Sequence, residues 1–507
     1  MTAVTSKQHS VASGGSLVGR VAIMCAIAML FFVAASAALA QNEVPSAPGP
    51  SYPSQSAPSV STPAPAAPQA GNAYSGSVPE QLVPGVLKIS LQDAIQRGLR
   101  DNLGLLLSGQ NLRAARGQRW QELSRLLPNL STTSYINDSK VDIAEFGFTG
   151  LSGLPIPQVI GPFQYFDARA YVTQSVFDWQ AWNGSRAASE NVKAAQYTYK
   201  DARDLVVLAV GFAYVEAIAD QATVDSTAAQ VDTAQALYQQ ASDQVQAGTA
   251  PSIDALRAKV ELQTQQQALI QAKNDLAIQK LTLARTIGLA PGQQFSLTDK
   301  TPYQPLTGLS LDQALKQAYA SRSDYQAALA SVRAAEDSRR AAEAGYLPSL
   351  SFSADYGLAG TYPNVVTHGV FDVRGTLTVP IFQGNRVHGD VLQATAQLQQ
   401  ARDQLDDLRA QIDSQVRTAL LNLDSAEQRV AVAQSSVDLA QQTLTQSRDR
   451  FSAGVTDTVE VVQAQQQVAN AQQQYISSLY LDNYAKISLA RALGVAETGV
   501  KQFFEEK

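Results

Sequence analysis

The chain is written twice. Ile89 to Ser131 aligns without a gap on Leu309 to Ser351, 220 positions later, with eleven of 43 positions identical. Ser90-Leu91-x-x-Ala94 matches Ser310-Leu311-x-x-Ala314, and Arg113-Ala114-Ala115 matches Arg333-Ala334-Ala335. Leu127-Pro128-x-Leu130-Ser131 matches Leu347-Pro348-x-Leu350-Ser351. Further on, Phe166-Asp167-x-Arg169 returns as Phe371-Asp372-x-Arg374, and Ala247-Gly248 as Ala453-Gly454. Leu283-Ala284-Arg285-x-x-Gly288 returns as Leu489-Ala490-Arg491-x-x-Gly494. Solenoid repeats are about 20–50 residues long, so a unit of about 200 that occurs twice is a duplicated domain. The fold must deliver the same order of elements two times over.

Two kinds of element alternate within each half. Trp182 to Ala247 and Arg386 to Ala453 contain no proline and few glycines. As helices they would be roughly 100 Å long at 1.5 Å per residue, a length that calls for coiled-coil packing. Val416, Leu423, Val430, Val437 and Leu444 recur every seventh residue, with Ala419, Ala426, Ala433 and Ala440 three places behind. That is an a/d seam, branched at a and small at d. Val210, Ala217, Val224, Val231 and Tyr238 repeat the register in the first half. The second kind of element alternates with period two. Leu350, Phe352, Ala354, Tyr356 and Leu358 are separated by Ser351, Ser353, Asp355 and Gly357, and 371–381 reads the same way. An apolar face opposite a hydroxyl and charged face fits a membrane barrel strand, and equally a half-buried soluble sheet.

Four such strands are too few, because membrane barrels need about eight or more and an open edge in lipid leaves backbone groups unpaired. A barrel would have to be shared, with eight strands from two copies or twelve from three.

The remaining composition narrows the setting. Net charge is -6, from 38 basic and 44 acidic residues, which argues against nucleic-acid binding. Cys25 is the sole cysteine and His9, His368 and His388 the only histidines, so a disulfide framework or a cysteine-based zinc site is excluded. No Ser/His/Asp order, phosphate loop or metal-ligand spacing stands out, and neither enzyme activity nor a cofactor is expected. Lys7 and Arg20 precede an apolar run, Val21 to Ala40, that ends in Ala38-Leu39-Ala40; residues 1–40 read as a cleaved signal peptide. Residues 41–87 hold ten of the 21 prolines and read as a disordered leader.

With these residues assembled, the chain resembles the TolC-type outer-membrane efflux proteins (outer membrane factors). The resemblance rests on the duplicated order of helix, strand, strand, long helix and return helix, on the two Ala-Gly turns, and on the Leu-Ala-Arg-x-x-Gly ends. It implies a mixed α and β fold: a homotrimer with a shared transmembrane β-barrel, four strands per protomer, above a long periplasmic α-helical coiled-coil barrel. The first repeat is expected over 88–290, with strands about 129–137 and 166–177, a long helix about 182–247 and a return helix about 252–288. An equatorial linker follows at 291–308. The second repeat is expected over 309–496, with strands about 349–359 and 370–382 and helices about 386–453 and 457–494, before a tail at 497–507. The resemblance implies an outer-membrane channel-tunnel that passively conducts drugs, metal ions or proteins. Its partners would be a periplasmic adaptor, an inner-membrane pump and outer-membrane lipid. A structural coiled-coil stalk of the envelope is the competing reading; it would bury Leu350, Phe352, Leu377 and Ile381, which a barrel exposes to lipid.

The functional positions expected are at the helix turns. Gly248-Thr249-Ala250-Pro251 and Gly454-Val455 would end the long helices and meet the adaptor. The resemblance makes Glu460 a pore-facing acid at the closed end, with Asp254 its match in the first half. A second acidic position of the family is Gln463 here. The family's tip tyrosine and arginine fall on Phe451 and Thr456, so those closing links cannot form. The residues alone offer a second account of Glu460: Asp457-x-x-Glu460 is a capping-box pattern.

Overall fold

A computed structural model describes residues 74–146, 157, 159–299, 303–306, 309–362 and 366–499. The chain divides into two units, residues 1–67 and 68–507, and all described residues belong to the second. The expected signal peptide, most of the expected leader and the tail from residue 500 lie outside the described residues.

Each half opens with a pair of shorter helices. In the first half these are α1 (Leu91–Asp101) and α2 (Leu103–Ser124), preceded by β1 (Leu87–Ile89). In the second they are α5 (Leu311–Ser321) and α6 (Ser323–Glu343), preceded by β4 (Phe295–Leu297). The repeated serines explain the repeated starts. Ser90 and Ser310 each cap their helix, and Asp93 and Gln313 bond back to the cap backbone, so two otherwise unsatisfied N–H groups find acceptors. The repeated prolines explain the stops. A residue before proline is driven out of the helical region, and strands β2 (Asn129–Asp142) and β5 (Ser349–Tyr362) begin directly after Pro128 and Pro348.

Strands β3 (Val159–Phe177) and β6 (Val366–Thr378) complete one antiparallel sheet of order β2-β3-β5-β6. The β3–β5 pairing joins the two halves, with Arg169 opposite Gly357. A Cβ at Gly357 would sit 2.1 Å from the Ala168 carbonyl oxygen, so only glycine admits the neighbouring strand there.

The strands depart from the expected ranges. β2 runs five residues further and β3 starts seven earlier than the alternation suggested, so only 143–158 lies between them. β5 and β6 leave only 363–365 between them, and His368 lies in β6. β6 stops at Thr378 rather than 382 because Pro380 cannot donate to a ladder.

The long helices are α3 (Trp179–Gln246) and α7 (Arg386–Ser452), returning as α4 (Ser252–Thr286) and α8 (Thr458–Ala492). The α7 heptad residues Val416, Ala419, Leu423, Ala426, Val430 and Ala433 are all buried. Helix α3 is long and apolar enough to cross a membrane, but more than half of its apolar window is buried within the fold. Val206, Val207, Val210 and Tyr214 in that window pack on Ile89, Ile95, Leu283 and Ile487. The second half builds a matching core from Ala314, Ala318, Ile412, Val416 and Leu489.

The end of the expected leader and the expected linker are both bound to this body. Residues 74–87, assigned to the leader on composition, place Ser77 Oγ on the Thr286 carbonyl and pair Glu80 with Arg97 at 2.6 Å. Backbone N–H groups of Val78 and Glu80, on either side of Pro79, bond the carbonyls of Asp101 and Gly288, so the proline removes no needed donor. The expected linker 291–308 contains β4, which pairs in parallel with β1.

Candidate functional site: sheet faces and hairpin tips

Strand periodicity sorts the sheet into two unlike faces. Register places Leu130, Val172, Ala354 and Val373 on one side, and Ser131, Tyr171, Asp355 and Asp372 on the other. The apolar face is uncovered: Leu350 and Phe352 are over one-third exposed, Leu377 is 66 % exposed, and Ile381, just past the strand, 96 %. Among the described residues, edge strands β2 and β6 each pair on one side only.

The polar face carries an ion network that the sequence hinted at without resolving. The repeated Asp-x-Arg spacing puts both groups on one side of a strand. Arg169 reaches Asp167 at 2.7 Å and Asp355 at 3.1 Å, and the Tyr165 hydroxyl donates to Asp167 at 2.9 Å. The counterpart Arg374–Asp372 pair is looser, at 3.5 Å, and more exposed.

At the other end of the long helices the two turns are built alike. Gly248 and Gly454 have φ of 71° and 70°. Gly248 N–H bonds Val245 O and Thr249 N–H bonds Gln244 O; Gly454 N–H bonds Phe451 O and Val455 N–H bonds Arg450 O. This is the Schellman closure, in which a left-handed residue lets two late N–H groups satisfy the last helical carbonyls. Thr249, Pro251 and Val455 are exposed and Ala250 is half-buried. Phe451 is buried among Leu444, Val461, Leu237 and Ala258, tying the two hairpins together near their turns.

The acidic positions differ from one another. Asp254 lies in the first turn of α4, nearly buried, 3.6 Å from Arg257. Glu460 is partly exposed and held by its own hairpin: Thr456 Oγ1 and Ser447 Oγ donate to it, and Arg450 Nε stands 3.5 Å away. The capping-box reading is therefore corrected in part. Asp457 does cap α8 through Val459 N–H, but the Glu460 carboxylate turns to the preceding turn and helix instead of the cap backbone. Gln463 is exposed. The structure thus joins Glu460 to Thr456, while Phe451 faces the hairpin core.

Sequence reasoning missed a charge network midway along the helices. Arg491, from the repeated Leu-Ala-Arg, bonds Asp201 at 2.6 Å and stands 3.7 Å from Asp324, which also pairs with the buried Arg322. Burial pushes the Asp204 carboxyl up to about 6, against the opposing pull of Arg491. A second buried pair, Lys486–Asp482, sits at 2.6 Å on α8. The helical spacing of four was a signal for that pair. None existed for the first network, whose members are up to 290 residues apart.

Comparison with known proteins gives a consistent picture. Residues 94–289 and 314–495 match the sequence profile of a family described as outer membrane efflux protein. The chain is 24 % identical over 346 residues to Outer membrane protein TolC of Escherichia coli (strain K12), covering 64 % of this chain and 69 % of that one. It is 21 % identical over 413 residues to Pyoverdine export outer membrane protein OpmQ of Pseudomonas aeruginosa, covering 80 % and 85 %. Among solved structures, the outer membrane protein VceC of Vibrio cholerae superposes with a TM-score of 0.68 at 19 % identity, covering 80 % of this chain and 96 % of that one.

Proposed function

The chain belongs to the outer membrane efflux protein family, and on that premise we propose that it is the outer-membrane channel-tunnel of a tripartite efflux or type I secretion system. It conducts substrates passively, from a periplasmic adaptor and inner-membrane pump to the exterior. The observation that carries this reading is the four-stranded sheet with an uncovered apolar face and two singly paired edges. Such a sheet is stable in lipid only when its edges are closed. Three copies supply twelve strands, within the range of known membrane barrels (about 8 to 26). The apolar face then meets lipid, the Arg169–Asp167–Asp355 face lines the lumen, and the helices reach into the periplasm. A coiled-coil stalk would cover Phe352 and Leu377 with its own helices, which these exposures disfavour.

The turns at Gly248 to Pro251 and Gly454 to Val455 are the proposed adaptor-docking surface. Glu460, repeated by three-fold symmetry, is the proposed cation-attracting ring at the tip, with Asp254 contributing from the first half. Detergent-extracted protein should run as a heat-modifiable trimer and give discrete conductance steps in planar bilayers; a monomer without conductance would favour the stalk. Glu460→Gln should lower cation over anion permeability in a salt gradient. An unchanged reversal potential would remove Glu460 from the selectivity account while leaving the channel reading intact.

A further inference from the structure

Helices α3, α4, α7 and α8 leave a polar cavity of about 170 Å³ among them. It lies above the apolar layer that holds Phe451 and Val461 and below the one that holds Val224 and Leu276. Gln230 comes from α3, Glu261 and Gln265 from α4, Arg448 from α7, and Gln465 and Gln472 from α8. Some of these groups satisfy one another. Gln265 Nε2 donates to Glu261 Oε1 at 2.7 Å, and Gln230 Nε2 to Gln472 Oε1 at 3.1 Å. Others are left unmatched. Gln465 is 8 % exposed, and both its amide oxygen and its amide nitrogen are buried without a hydrogen-bond partner. Glu261 is 9 % exposed, and Arg448 stands exposed at the mouth. Among the described residues neither has an ion pair. A buried amide without a partner and a buried carboxylate without a cation are both costly. The flanking Val461 and Val468 are buried apolar side chains on the same helix, so nothing in the packing demands an amide at 465.

We propose that this cavity binds a small zwitterion, a molecule with an ammonium group and a carboxylate a few bonds apart. The three unmatched groups are arranged for one. Gln465 stands 11 residues from its turn glycine, Gly454; Glu261 stands 13 from Gly248, and Arg448 six from Gly454. Side chains lean toward the N-terminus of their helix. Glu261, on the outgoing α4, therefore leans toward the turns, and Arg448, on the incoming α7, leans away from them. The two charges approach the height of Gln465 from opposite sides and do not meet. An ammonium donates to the Glu261 carboxylate and the Gln465 Oε1. The ligand's carboxylate accepts from the Arg448 guanidinium and the Gln465 Nε2. These are charge-assisted hydrogen bonds, the stronger kind. A bare metal cation would suit Glu261 but leave Arg448 and the Gln465 N–H groups unmatched. Size agrees: an apolar cavity of about 150 Å³ admits benzene, so this one holds an amino acid of similar bulk. Once bound, the ligand ties α4 of the first hairpin to α7 and α8 of the second. This is a binding function that the channel reading neither requires nor supplies.

The test uses full-length protein in detergent and 4-aminobutyrate as the probe. Titration calorimetry should show saturable binding, and the thermal midpoint of the helices by circular dichroism should rise to a plateau. Butylamine and butyrate each carry half of the charge pattern and should bind about tenfold more weakly. Glu261→Gln keeps the shape of the side chain and should abolish the preference for 4-aminobutyrate over butyrate. Arg448→Gln should abolish the preference over butylamine, and Arg448→Lys should restore part of it. Helix content measured before the probe is added identifies a variant that has not folded. Arg448 is exposed, so its variants decide the matter if Glu261→Gln does not fold. A cavity that holds only water would give no saturable binding, and that result overturns the proposal. So would equal binding of the three probes, or an affinity for 4-aminobutyrate that the folded charge variants leave unchanged. Each of these results leaves the channel reading standing, because none depends on conductance.

Discussion

Glycine does different work at Gly454 and Gly494, although both have positive φ, 70° and 73°. At Gly454 a Cβ would meet nothing within 4 Å. Gly454→Ala should therefore cost only the left-handed backbone penalty, about 1 kcal/mol. At Gly494 a Cβ would lie 2.6 Å from the Arg322 backbone nitrogen and 2.8 Å from the Ser321 carbonyl carbon. Backbone cannot step aside as a side chain can, so Gly494→Ala should cost about 3 kcal/mol. Chemical denaturation of the two variants in detergent should rank them in that order. Asp204 yields a pH prediction. Burial raises its carboxyl to about 6 from an ordinary 3.8, so the folded state holds the proton more tightly than the unfolded chain. This favourable contribution is complete below 3.8 and is lost as pH rises through about 6. Asp204→Asn should raise the thermal midpoint at pH 8 and change it less at pH 4. Turn glycines are legible in sequence because φ > 0 leaves few residue choices. The partners of Glu460 were not, because Ser447 and Arg450 come within reach only once the hairpin has closed.

At the scale of single elements, the long helices were readable and the strand ends were not. A heptad is a dense signal: Val416, Leu423 and Val430 repeat at every second turn, and burial follows them. Alternation in a strand fades wherever threonine, glycine or a charge occupies the apolar face. Hydrogen bonding continues past that point, and this is why β2 and β3 pair as far as Asp142 and Val159. The alanines at d carry a testable consequence. Ala426 is 4 % exposed between packed helices, and a leucine there must force the pair apart at about 1–3 kcal/mol. Ala426→Leu should lower the unfolding midpoint of the helical region by circular dichroism, while Val432→Gln, on the uncovered side, should leave the single chain's helix content unchanged.

At the scale of the whole molecule, the duplication and its order of elements were visible because identical residues recur at a fixed offset. The sheet order was not, since nothing local says that β3 pairs with β5 across 180 residues. That order also sets how the protein behaves alone. Two singly paired edges and an uncovered apolar face make a lone copy aggregation-prone, so removal of detergent should produce large particles by light scattering. The order has one more consequence. The joint between the halves pairs the second strand of one repeat with the first strand of the other, and closure between copies would ask β6 and β2 for the same kind of bond. A half-length ancestor with a single repeat would already own both sticky margins, and six of them would count out the same ring; fusing them two by two halves the number of strangers that must find each other.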